Sequence, residues 1–114
     1  NVSTVYDYAL ISKEVLADPT IQDASITKLY EFYTSDSNII HKIRNTNNIV
    51  RYSRLNNVSG SKTGYLIEAE HCLMTRIETK NGPAIAITFA VGDRETSILE
   101  TEKLLKFAKN VMEK

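Results

Sequence analysis

Between residues 58 and 73 the chain reads VSGSKTGYLIEAEHCL, which sets Lys62, Thr63 and Gly64 side by side before an apolar run. An ammonium and a hydroxyl in adjacent positions can both reach one anion, such as a carboxylate. The glycine leaves bare backbone against which a peptide can lie and pair as an added strand. One residue further on, the backbone N–H of Tyr65 is available to a developing oxyanion. The four residues suit a site that grips a peptide by its C-terminal carboxylate beside an acyl-transfer centre. Lys-Thr-Gly is also a run of three common residues that arises by chance, so the tripeptide alone decides nothing. A phosphate-binding P-loop is excluded. It needs Gly-Lys-Thr after an earlier glycine, whereas Ser61 separates Gly60 from Lys62 and no glycine precedes Gly60.

The elements that position this stretch can be read from periodicity and turn chemistry. STVYDYALISKEVLADP reads as a helix capped by Ser3 or Thr4, with Val5, Tyr8, Ala9, Val15 and Leu16 as its apolar stripe. Asp18-Pro19 stops it, because the residue before a proline is pushed out of the helical region. Residues 20–23 read as a short helical turn. β-Branched and aromatic residues around the polar TSDSN cluster then predict a hairpin, with strands near 26–33 and 38–43. NTNNIVRYSRLNNVSGS reads as loop. SKTGYLIEAEH, CLMTRIETKNG and PAIAITFAVGD read as three strands, the last two joined at Asn81-Gly82 by a type I′ turn with positive φ at both residues. A closing helix follows over RETSILETEKLLKFAKNVMEK, with Ile98, Leu104, Leu105, Ala108, Val111 and Met112 facing inward. The fold class is α+β: an N-terminal helix, a β-hairpin, a three-stranded antiparallel meander and a C-terminal helix.

Composition narrows the function classes. The 114 residues correspond to one domain, and 42% apolar content is enough for a core. Fourteen Lys and Arg balance fourteen Asp and Glu. The basic excess of a nucleic-acid binder is therefore missing, and no nucleic-acid partner is expected. No apolar run is long enough to span a bilayer, and NVSTVYDY does not read as a signal peptide. A single cysteine, Cys72, permits no intramolecular disulfide and reads as a small buried hydrophobe. His41 and His71 lack metal-ligand spacing, so no metal and no cofactor is expected. Asn1-Val2-Ser3 and Asn57-Val58-Ser59 match the glycosylation pattern, which is too common to carry weight.

Several segments in chain order resemble the serine-type D-alanyl-D-alanine carboxypeptidases, the low-molecular-weight penicillin-binding proteins. STVYDYALISKEVLADP is similar to that family's first helix here, TNNIV to its Asn-Thr-Asn-x-Leu-Leu segment, SGSKTGYLIEAEHCLMTRIETKNGPAIAITFAVG to its KTG strand and the two that follow, and KLLKFA to its closing helix. The resemblance implies a partial β-lactamase/transpeptidase-like fold and a three-motif active site. A Ser-x-x-Lys serine attacks D-Ala-D-Ala, a Ser-x-Asn element assists proton transfer, and the KTG strand holds the terminal carboxylate. Carried over, Lys62 and Thr63 anchor the substrate, Gly64 gives clearance, Tyr65 supplies an oxyanion N–H, and Ser61 is only a strand residue. The implied ligand is a peptidoglycan D-Ala-D-Ala peptide or a β-lactam. The implied location is extracytoplasmic, in a bacterial cell envelope.

The chain also departs from the family pattern. Ser-x-Asn does not occur, and Ser-x-x-Lys occurs only as Ser25–Lys28, at the mouth of a predicted strand, and as Ser59–Lys62, overlapping KTG. Neither Ser25 nor Ser59 is expected to be the nucleophile, which is expected to be absent from this chain. Leu66 stands for the usual threonine, Ala69-Glu70 for an Ala-Gly pair, and Ser97 for an arginine that Arg94 only approaches. The chain therefore reads as an incomplete domain over 1–114, supplying the KTG wall and pairing with a missing N-terminal portion or with itself. The alternative is a non-catalytic, degenerate module of the same fold that binds peptide or a partner.

Overall fold

The computed structural model describes residues 2–114, which leaves Asn1 of the first glycosylation match outside it. Helix α1 spans Val5–Val15 and starts at Thr4, whose side chain accepts from the Asp7 N–H at 3.1 Å. The Asp-Pro pair that ends α1 also begins α2, Pro19–Ile26. Asp18 caps it by accepting from the N–H groups of Thr20 (2.8 Å) and Ile21 (3.2 Å), and Pro19 needs no N–H in the first turn. Ser25 is thus helical and opens no strand. The hairpin strands start later than expected, β1 at Leu29–Tyr33 and β2 at Ile40–Arg44. The segment read as loop contains a one-turn helix, α3, Asn48–Arg51, capped by Asn47 accepting from the Ile49 N–H at 2.9 Å.

Strands β3 (Val58–Leu66), β4 (Glu70–Thr79) and β5 (Gly82–Val91) form an antiparallel meander with β4 at its centre. Lys62 lies opposite Met74, Thr63 opposite Leu73 and Tyr65 opposite His71. The β4–β5 turn is not type I′. Thr79 pairs with Gly82, so Lys80 and Asn81 form the turn, and only Gly82 has positive φ, at 118°. Helix α4 spans Arg94–Met112 and is capped by Asp93.

The molecule has three layers, α+β as expected. Alternation along the strands sends Leu73, Ile77, Ala84 and Ala86 to one face, where Ile49, Ile98 and Leu105 close the core. The opposite face receives α1: the Ser12 hydroxyl donates to Met74 Sδ, Tyr8 meets Phe89 edge-on at 5.2 Å, and Leu16 is buried. The expected apolar faces are only half used. Val5, Tyr8 and Val15 of α1 and Leu104 and Val111 of α4 are exposed. Each of these helices presents apolar residues around more of its circumference than one sheet can cover. The hairpin β1–β2 projects with Leu29, Tyr30, Ile40 and Ile43 exposed. No helix among the described residues is long and apolar enough to cross a membrane.

Candidate functional site

Strand β3 is a sheet edge, paired on one side by β4. Its register is continuous from Gly60 to Leu66, the irregularity lying before Gly60. The Ser61 N–H points away from β4, donating at 3.1 Å to Ser25 Oγ, which in turn donates to the Gln22 carbonyl at 3.0 Å. Backbone groups alternate sides along a strand. The main-chain N–H and C=O of Thr63 and Tyr65 therefore face the same open edge as those of Ser61. Lys62 Nζ donates to the Thr63 carbonyl, which holds its ammonium over that edge.

Lys62, Thr63 and Tyr65 line a cleft of about 550 Å³ together with Thr46, His71 and Arg94. All four expected site residues, Lys62, Thr63, Gly64 and Tyr65, border it. The Tyr65 and His71 rings pack at 4.6 Å across the strand pair. Thr63 Oγ1 is 2.7 Å from Thr46 Oγ1, and the Arg94 guanidinium donates to the Thr46 carbonyl. Lys62, Arg94 and two hydroxyls thus surround one space, an arrangement fit for a carboxylate. Asp93 is anionic nearby. The Thr96 hydroxyl and N–H hold its carboxyl below the usual range as it caps α4.

Gly64 does not have positive φ, and a Cβ there would meet nothing nearer than Cys72 Cβ at 3.8 Å. Neither backbone conformation nor packing demands a glycine at this position. Cys72 is partly buried, its thiol 3.4 Å from the Ala69 carbonyl. Ser25, with its hydroxyl committed to Gln22 and Ser61, is a brace for β3. Lys62 and Thr63 also border a second, more apolar cleft of about 590 Å³ beside Ile21, Ile43 and Met74. Among the described residues no three His, Cys, Asp or Glu side chains are gathered as metal ligands.

Two residues of the cleft escape a reading by position. Ser97, at the arginine position of the pattern, is buried at the cleft wall with its hydroxyl 3.3 Å from Thr88 Oγ1, and Arg94, one helical turn earlier, also lines the cleft. Thr46 sits in the Asn-Thr-Asn run at the head of the segment that reads as loop. Glu70, at the glycine position of the pattern, has φ of 52°, the left-handed region that glycine enters without strain.

A model of the D-alanyl-D-alanine carboxypeptidase family matches residues 1–92. D-alanyl-D-alanine carboxypeptidase DacF of Bacillus subtilis is 33% identical over 108 residues, covering 93% of this chain and 26% of its own length. Among solved structures, a D-alanyl-D-alanine carboxypeptidase from Mycobacterium tuberculosis superposes with a TM-score of 0.70 at 18% identity, over 93% of this chain and 40% of that one. The penicillin-binding protein D2 of Listeria monocytogenes, in its cefotaxime-bound form, gives 0.68 at 24% identity, over 87% of this chain and 37% of that one. The chain spans about a quarter of the curated relative it matches.

Proposed function

The chain belongs to the D-alanyl-D-alanine carboxypeptidase family, and from that premise we propose that it supplies the substrate-carboxylate wall of such an enzyme. The observation that carries this reading is the direction of the β3 edge. Ser61 is tied outward to Ser25, so Thr63 and Tyr65 offer their main chain to the cleft beside Lys62 and Arg94. A stem peptide ending in D-Ala-D-Ala lies along this edge as an added strand. Its carboxylate takes the Lys62 ammonium, the Thr63 hydroxyl and the Arg94 guanidinium, while the scissile carbonyl lies toward the Tyr65 N–H. Gly64 keeps the approach open.

The acyl-serine chemistry needs a nucleophile fixed beside a base. Ser25 is braced, and the lysines of the two Ser-x-x-Lys runs are bonded elsewhere, Lys28 to Ser53 Oγ and Lys62 to the Thr63 carbonyl, which supports a nucleophile from outside these residues. The chain then works as part of a domain larger than 1–114, outside the cytoplasmic membrane, on peptidoglycan peptides. β-Lactams, whose carboxylate mimics that of the peptide, share the wall. Intact mass after incubation with benzylpenicillin tests the division of labour. The expected result is the unmodified mass, and a stoichiometric adduct on Ser25, Ser59 or Ser61 overturns it.

A further inference from the structure

We propose that Thr46 is a positioning residue of the carboxylate grip, setting Thr63 through its hydroxyl and Arg94 through its carbonyl; this rests on the reading of β3 given above. A carboxylate only accepts hydrogen bonds, and a threonine hydroxyl has one proton to give. Once a carboxylate sits on Thr63 Oγ1, that proton goes to the ligand. The contact of 2.7 Å with Thr46 then requires Thr46 to be the donor. A hydroxyl at position 46 therefore aims the Thr63 proton at the ligand, and an apolar group there leaves Thr63 free to rotate. The carbonyl of the same residue holds Arg94.

Thr46 is itself held from both sides. Asn45 Nδ2 donates to the carbonyls of Ser25 (2.8 Å) and Thr27 (3.0 Å), and Asn45 Oδ1 accepts from the Asn47 N–H at 2.9 Å. Asn47, fully buried, donates to Ser61 Oγ (2.8 Å) and Thr75 Oγ1 (3.0 Å). Two pinned asparagines thus present the residue between them to the cleft, so little ordering is left to be done when a ligand arrives. Thr46 is exposed, and its substitution leaves the core untouched.

The test compares affinities for an N-acetylated peptide ending in D-Ala-D-Ala, as the free acid and as the C-terminal amide, by titration calorimetry. Wild type, Thr46→Val and Thr46→Ser are measured, with thermal unfolding to establish that each is folded. Wild type is expected to prefer the acid. Thr46→Val should lose about tenfold of that preference, the scale of one hydrogen bond to a charged group, with amide binding unchanged, and Thr46→Ser should keep it. A folded Thr46→Val with the wild-type preference, or a Thr46→Ser as impaired as the valine variant, overturns the role of the hydroxyl and leaves the reading of β3 standing. A wild type that binds acid and amide alike overturns that reading and this inference together.

Discussion

Asn47 Nδ2 lies 2.8 Å from Ser61 Oγ, inside the protein and on the residue that precedes Lys62. The same amide donates to Thr75 Oγ1 on β4, and its oxygen caps α3. One buried side chain therefore joins the short helix to two strands of the sheet. Asn47→Ala removes the cap and leaves two hydroxyls with fewer partners. A loss of about 2–4 kcal/mol is expected in urea unfolding, the sum of a helix cap and an interrupted buried polar network.

Glu70 holds φ of 52° where β4 begins. A non-glycine residue pays roughly 1–2 kcal/mol there, partly returned on replacement by glycine, which has more freedom to lose on folding. Glu70→Gly should stabilise the chain by about 1 kcal/mol and raise Tm by several degrees. Glu68→Gly, at a position without positive φ, should not. Equal effects of the two changes would remove backbone strain as the explanation.

The glycines of β3 should part company. A Cβ at Gly60 would meet the buried Leu16 side chain, just past α1, at 3.2 Å, so Gly60→Ala makes that side chain give by a few tenths of an ångström and should cost about 1–3 kcal/mol. At Gly64 the nearest atom is 3.8 Å away. Gly64→Ala should unfold within about 0.5 kcal/mol of wild type while binding a D-Ala-D-Ala peptide more weakly.

Glu102 lies between Lys106 (2.6 Å) and Arg54 (2.8 Å), and the bond to Lys106, then the charge of Arg54, hold its carboxyl below the ordinary glutamate range. A depressed folded-state pKa stabilises above the unfolded value and is lost as pH falls through the folded one. Thermal unfolding from about pH 7 to about pH 3 should show wild type more stable than Glu102→Gln at neutral pH, with the gap closing at the acid end. A gap independent of pH would assign the effect to packing.

Sequence patterning carried the architecture, because the meander strands and closing helix are long enough for periodicity to show. It missed α3, whose four residues span barely one turn. It read only residues 20–23 of α2 as helical and began a strand near residue 26, because the β-branched Ile26 and Thr27 masked the end of that helix. As a candidate, the Lys62–Tyr65 run was legible since its residues are contiguous, and the structure places all four along one cleft. Thr46 and Arg94 were not, because each reaches the cleft from another element: Thr46 by the pinning of its neighbours, Arg94 by one turn of α4. The unused apolar faces of α1 and α4 were invisible to a pattern that records which residues can be buried, not which are.

The most direct test of the carboxylate wall is a titration of the ¹⁵N-labelled chain with a peptide ending in D-Ala-D-Ala, as free acid and as amide. The account predicts saturable shifts of the Thr63 and Tyr65 amide resonances with the acid, much smaller ones with the amide, and their loss in Lys62→Ala. Unmoved Thr63 and Tyr65 resonances, or shifts that ignore the carboxylate, would contradict it.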